Sequence, residues 1–114
     1  MPEWKRIVSK EELSALLTRS AEQPVLLFKH STRCPISAEA YREAEAYLSQ
    51  TPNEQVTYGL IYVVEEREIS NEAADKLRVK HESPQAILVK NGQAVWNTSH
   101  SRITADALEE VLSN

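Results

Sequence analysis

Two hydrophobic patterns alternate along the chain, and each predicts a different kind of secondary structure. Short runs of apolar, β-branched and aromatic residues predict strands, because such side chains fit a sheet that is covered by other elements. The run at residues 25–28 is unbroken, which indicates a strand buried on both faces. The predicted strands lie at residues 5–8, 25–29, 56–64, 86–89 and 94–96.

Apolar residues spaced three or four apart predict four helices between and after these strands. Ser9 precedes the first helix, and Glu12 completes a capping box with it. The second helix begins at Pro35, and the third is expected to start at a cap formed by Ser70 and Asn71. Thr104 is expected to cap the last helix. The predicted inward residues of the second and third helices are Ile36, Ala40, Tyr41, Ala44, Tyr47, Leu48, Ala73, Ala74 and Leu77.

The order of the predicted elements is β-α-β-α-β-α-β-β-α. The helical crossovers imply parallel strands, and Asn91-Gly92 favours a type I′ hairpin that adds an antiparallel edge. We therefore expect an α/β protein with a mixed central sheet and helices on both faces, which is the thioredoxin fold. The length of 114 residues suits a single domain spanning residues 1–114.

Composition excludes several partners. The formal net charge of −4 gives no reason to expect binding to nucleic acid or to an anionic membrane. The longest apolar runs are too short to cross a bilayer, and the first residues, MPEW, do not form a signal peptide. We therefore expect a cytoplasmic protein.

The chain has one cysteine, Cys34. A single cysteine excludes a disulfide within the chain and zinc sites of the Cys₄ or Cys₂His₂ type, and we expect no bound metal. A lone cysteine is more often an inert apolar residue than a nucleophile. The neighbouring residues must therefore decide between these two interpretations.

Cys34 falls between a central strand and the helix that begins at Pro35. Proline is favoured at the first position of a helix, so Cys34 should lie at the N-cap. The helix dipole favours a thiolate there, and the adjacent Arg33 adds a positive charge. The sequence thus predicts that Cys34 is a nucleophile.

Two further residues complete the predicted site. Ser37 follows Cys34 by three positions, where dithiol oxidoreductases carry their second cysteine; its hydroxyl could bond the sulfur but cannot form a disulfide. Ser83-Pro84 directly precedes the fourth strand. Proteins with the thioredoxin fold place a cis proline there, facing the cysteine, and we predict that Pro84 is cis. The backbone of Ser83 would then pair with a bound substrate in the manner of a strand.

The motifs HSTRCPIS at residues 30–37 and HESPQ at residues 81–85 resemble those of the monothiol bacilliredoxins. The resemblance implies that Cys34 removes bacillithiol from protein cysteines through a mixed disulfide, with bacillithiol as a thiol co-substrate and no bound cofactor. The implied partners are bacillithiol and the thiolated client proteins. The implied catalytic residues are Cys34, Ser37 and Pro84, and those implied to contact the substrate are Thr32, Arg33, Pro35, His81 and Ser83.

Bacillithiol carries a malate with two carboxylates, so a basic rim around the cysteine would suit it. The candidates for this rim are Lys29, His30, Arg33, Lys80 and His81. Without a resolving cysteine, we expect little or no dithiol reductase activity.

Two other functions are compatible with the sequence. Monothiol glutaredoxins can hold an iron–sulfur cluster between two protomers, each giving one cysteine. Their usual Cys-Gly-Phe-Ser loop differs from Cys34-Pro35-Ile36-Ser37. The chain could instead be an interaction module with an unreactive thiol, which predicts that Cys34 alkylates no faster than free cysteine.

Overall fold

The computed structural model describes residues 3–50 and 52–113. Its elements follow the predicted order: β1 Lys5–Arg6, α1 Lys10–Arg19, β2 Val25–His30, α2 Pro35–Ser49, β3 Thr57–Tyr62, α3 Arg67–Leu77, β4 Gln85–Lys90, β5 Gln93–Ser99 and α4 Ala105–Leu112. A single 3₁₀ turn, His100–Arg102, joins β5 to α4. No helix in these two ranges is long and apolar enough to cross a bilayer.

The five strands form one mixed sheet in the order β1-β3-β2-β4-β5. Strand β3 runs parallel to β1 and β2, whereas β4 is antiparallel to both β2 and β5. Asn91 and Gly92 have φ values of 54° and 74°, the left-handed conformations that a type I′ hairpin requires. The prediction of a mixed sheet with an antiparallel edge is confirmed.

The sheet separates two apolar cores. Leu26 and Phe28 of β2 face the core beneath α2 and α4, while Val25 and Leu27 face the core beneath α1 and α3. All six residues of β2 are buried, as the unbroken apolar run predicted. The central strand that leads to Cys34 is therefore held on both faces.

The caps of α1 and α4 are confirmed. Ser9 Oγ accepts a hydrogen bond from Glu12 N at 3.1 Å, and Thr104 Oγ1 accepts one from Ala107 N at 3.1 Å. The Glu12 carboxylate reaches back to Val8 N at 2.7 Å, one residue before the cap. These local signals predicted the helix starts correctly because each needs only residues within one turn.

Two predictions about helix α2 and helix α3 are wrong. Helix α3 begins at Arg67, so Ser70 lies inside it, because starting one turn earlier buries Ile69 in the core. Ile36 is 51% exposed, since the face of α2 that meets the sheet carries Ser37, Ala40 and Ala44. Neighbouring helix positions differ by about 100°, which turns Ile36 away from the sheet.

Candidate active site around Cys34

Cys34 is the N-cap of α2, with φ −115° and ψ 121°, and Pro35 opens the helix. The Cys34 carbonyl accepts a hydrogen bond from Ala38 N at 3.0 Å, whereas its side chain makes no capping bond. The thiol is free and half-buried. The backbone of Cys34 thus starts the helix while the sulfur stays available for reaction.

Ser37 is fully buried one turn into α2. Its Oγ accepts a hydrogen bond from Ser31 N at 2.9 Å and lies 2.7 Å from His30 Nδ1. Among the hydrogen bonds of residues 3–50 and 52–113, none joins Ser37 Oγ to the Cys34 sulfur. The hydroxyl expected from sequence as a partner of the thiol instead ties the end of β2 and the following loop to the helix.

His30 provides the other half of this contact. Its ring stacks on Tyr41 with centroids 4.7 Å apart and planes 17° from parallel. Burial lowers the pKa of His30, although the Glu65 carboxylate acts in the opposite direction. An unprotonated Nδ1 can accept the Ser37 hydroxyl proton, which leaves Ser37 Oγ as the acceptor for Ser31 N–H. No sequence pattern indicates this pair, since the contact depends on how α2 packs on β2.

Ser37→Ala should destabilise the protein by about 1–3 kcal/mol, because it leaves Ser31 N and His30 Nδ1 without their buried partner. Urea unfolding of both proteins measures this difference. Ser14→Ala, at an exposed position of α1, is the matched control and should change the free energy of unfolding by less than about 0.5 kcal/mol. An equally small effect at Ser37 would mean that these two contacts carry no stability.

The Ser83-Pro84 peptide bond is cis, as predicted. Pro84 is buried, and its carbonyl accepts a hydrogen bond from His100 N at 3.0 Å. Gln85 pairs with Lys29 across the antiparallel strands β4 and β2. Since β2 ends where β4 begins, the loop that carries Cys34 and the loop that carries Ser83-Pro84 lie at the same edge of the sheet.

The prediction of a basic rim around the cysteine is wrong for Lys29 and His30. Lys29 has no exposed surface and His30 only 7%, because both belong to the central strand covered on each face. Thr32 and Arg33 are exposed on the loop before Cys34. Pro35, Lys80 and His81 are also exposed, and Ser83 is half-buried. These side chains are open to solvent, and their roles toward a substrate stay predictions.

Lys29 forms a buried polar cluster that sequence reasoning did not anticipate. Its Nζ donates a hydrogen bond to the Ser70 carbonyl at 3.0 Å and lies 3.2 Å from His81 Nδ1. Burial lowers the pKa of Lys29 to about 8. One feature of the sequence indicates this burial: Lys29 lies within a strand whose apolar run predicts that both faces are covered.

A groove of about 460 Å³ begins at Pro35 and Ile36, next to Cys34 in the chain. Glu39 and Glu43 line one side of it, and the turn at His100 lines the other. Within residues 3–50 and 52–113, no group of three or more His, Cys, Asp or Glu side chains is placed to hold a metal ion.

Comparison with known structures confirms the thioredoxin fold. A protein assigned as an oxidoreductase with a thioredoxin fold is 33% identical, with a TM-score of 0.81 over 94% of this chain and 91% of that chain. Thioredoxin of Malassezia sympodialis matches 99% of this chain and 90% of its own at 16% identity, with a TM-score of 0.75. Fasciola hepatica thioredoxin matches 96% of each chain at 16% identity and a TM-score of 0.73.

The family model for monothiol bacilliredoxin BrxC matches residues 5–108, a span that holds both sequence motifs, the cysteine and the cis proline. The single cysteine agrees with a monothiol protein. The chain belongs to the monothiol bacilliredoxin BrxC family.

Proposed function

We propose that this protein removes bacillithiol from the cysteines of client proteins by thiol–disulfide exchange at Cys34. The observation that carries the proposal is a single free thiol at the N-cap of a long helix, in a chain of the bacilliredoxin family. The free N–H groups and dipole at a helix start favour a thiolate, which is the nucleophile in disulfide exchange.

In the first step, the Cys34 thiolate attacks the bacillithiol sulfur of a client mixed disulfide. A disulfide forms between Cys34 and bacillithiol, the client–bacillithiol disulfide breaks, and the client cysteine leaves as a thiolate that takes a proton from water. No electrons are gained or lost by the system as a whole, since one disulfide replaces another.

In the second step, a thiolate from outside the chain must attack the bacillithiol carried on Cys34. If bacillithiol itself attacks, bacillithiol disulfide leaves and the Cys34 thiolate is restored. An external thiol is needed because Ser37 occupies the position of a resolving cysteine. Its hydroxyl cannot attack the disulfide and is already hydrogen-bonded with His30 and Ser31. A reducing compartment such as the cytoplasm would supply the external thiol.

Recognition of bacillithiol is assigned to the exposed polar residues beside the sulfur. Arg33 offers a guanidinium to the malate carboxylates, and Thr32 a hydroxyl. The acidic side chains Glu39 and Glu43 line the groove that begins at Pro35 and Ile36, so we place the anionic thiol outside that groove and toward Arg33. On the same proposal, the backbone of Ser83 pairs with the client polypeptide.

The test is adduct formation on reduced protein mixed with bacillithiol disulfide and, separately, with glutathione disulfide, followed by intact-protein mass spectrometry. We expect one bacillithiol on Cys34, formed faster than the glutathione adduct. Arg33→Gln should slow the bacillithiol reaction by about two- to fivefold, since an exposed ion pair contributes up to about 1 kcal/mol.

Arg102→Gln is the matched control, because it makes the same change in net charge at an exposed position outside the predicted substrate contacts. It should leave the preference for bacillithiol unchanged. Equal rates with both disulfides would remove the proposed specificity. Adducts that form no faster than those of free cysteine would favour the interaction module with an unreactive thiol.

A further inference from the structure

The segment between α3 and β4 carries Ser83-Pro84 to the edge of the sheet where Cys34 lies. Within this segment, His81 contacts the buried polar cluster around Lys29. His81 Nδ1 lies 3.2 Å from Lys29 Nζ and 3.3 Å from Ser70 Oγ. Its imidazole is otherwise exposed to solvent. The loop that the proposed function uses for its client is thus attached to the buried cluster around Lys29 through one titratable ring.

The chemistry of this contact requires an unprotonated ring nitrogen. As an ammonium, Lys29 Nζ is a hydrogen-bond donor and never an acceptor. One of its N–H groups donates to the Ser70 carbonyl. His81 Nδ1 must then accept another. A protonated imidazole would turn this nitrogen into a donor and set two positive groups against each other.

The charges around His81 come from three elements. Burial and the cations of Lys29 on β2 and Arg67 on α3 lower the pKa of His81, while the adjacent Glu82 carboxylate raises it. The neutral ring therefore dominates at neutral pH, and protonation of His81 requires a lower pH than that of an ordinary histidine.

The rest of the loop has its own attachments. Glu82 Oε1 accepts a hydrogen bond from Ser99 Oγ at 2.9 Å and lies 3.3 Å from His100 Nδ1. The Lys80 carbonyl accepts one from Gln85 Nε2 at 3.0 Å. His100 Nδ1 thus faces a carboxylate, whereas His81 Nδ1 faces an ammonium, so a proton sets two cations against each other at His81 and not at His100.

We propose that His81 is a positioning residue for disulfide exchange: its neutral ring, hydrogen-bonded by Lys29, holds the Ser83-Pro84 loop in the position that receives the client, and its protonation releases that loop. This inference rests on the proposed function. It predicts that exchange with a client decreases in mild acid by more than the loss of Cys34 thiolate accounts for.

The test compares two reactions of Cys34 between about pH 5 and pH 8, a range that brackets the ordinary histidine pKa. One is transfer of bacillithiol from a synthetic peptide, which needs the loop; the other is alkylation by iodoacetamide, which needs only the thiolate. We expect the ratio of the two rate constants to fall several-fold toward acid in the wild type.

Two variants should change this ratio in opposite directions. His81→Asn should make it nearly independent of pH, because the amide oxygen can take the place of Nδ1 and does not titrate. Lys29→Met should instead keep the ratio at its low, acid value across the whole range, because it removes the ammonium that holds the His81 ring. His100→Asn is the matched control and should retain the wild-type fall.

A flat ratio in the wild type, or the same fall in His81→Asn, overturns the proposal. Absence of peptide transfer at every pH, with alkylation intact, rejects the proposed function instead. NMR then tests the inference separately. The Ser83 amide resonance should shift with pH at the same midpoint as the His81 ring resonances. A Ser83 resonance that does not follow the titration of His81 contradicts the inference.

Discussion

Cys34→Ser should abolish disulfide exchange and leave the protein at least as stable as the wild type. The loss follows because residues 1–114 contain no other cysteine. The gain in stability follows because serine is a favoured N-cap residue, whereas the Cys34 side chain makes no capping bond. The new hydroxyl can accept a hydrogen bond from the N–H of Ile36 or Ser37, since Pro35 has none.

We expect Cys34→Ser to raise the free energy of unfolding by about 0.5–1 kcal/mol, within the range of known caps. Urea unfolding measures the gain, and mass spectrometry after incubation with bacillithiol disulfide measures the loss. Cys34→Ala is the control, with the same loss of adduct and no gain in stability. A Cys34→Ser protein that unfolds more easily would show that the thiol has a structural role.

Lys29→Met should stabilise the protein at neutral pH by about 1–3 kcal/mol. The Lys29 side chain has no exposed surface, and burial lowers its pKa from 10.5 to about 8. This lowered pKa reflects the free-energy cost of keeping an ammonium inside the fold. Methionine has a similar length and no charge, so it fills the same space without that cost. Loss of the hydrogen bond to the Ser70 carbonyl offsets part of the gain.

The pH dependence provides an independent check on Lys29. Because the folded pKa of about 8 lies below the unfolded value of 10.5, unfolding takes up a proton between these two values, and wild-type stability should rise across that interval. The advantage of Lys29→Met should therefore be complete below about pH 8 and disappear toward pH 10.5.

Thermal or urea unfolding at several pH values measures the Lys29 effect. Lys90→Met, at the exposed end of β4, is the matched control and should change stability little at any pH. If Lys29→Met proved destabilising at neutral pH, the contacts with Ser70 and His81 would outweigh the cost of the buried charge.

Features encoded by neighbouring residues were predictable from the sequence. The cap at Ser9, the cap at Thr104 and the Asn91-Gly92 hairpin each depend on a few consecutive residues, and all three are present. The position of Cys34 at a helix start was predictable for the same reason, because Pro35 marks the first turn.

Features that depend on packing were not predictable. The start of α3 at Arg67 and the exposure of Ile36 follow from which helix face meets the sheet. The residue type alone predicts a surface cation at Lys29, although the buried strand around it indicates a buried side chain. Ser37 contacts His30 rather than the sulfur because of where α2 sits on β2, which residue spacing alone does not determine.

Transfer of bacillithiol to Cys34 is best measured in a single turnover between reduced protein and a peptide whose one cysteine carries bacillithiol, stopped with acid and analysed by intact mass. We expect the mass of bacillithiol to move to Cys34 and the peptide to appear as a free thiol. Attachment of the peptide itself to Cys34, or no transfer while iodoacetamide still alkylates the thiol, would contradict the proposed function.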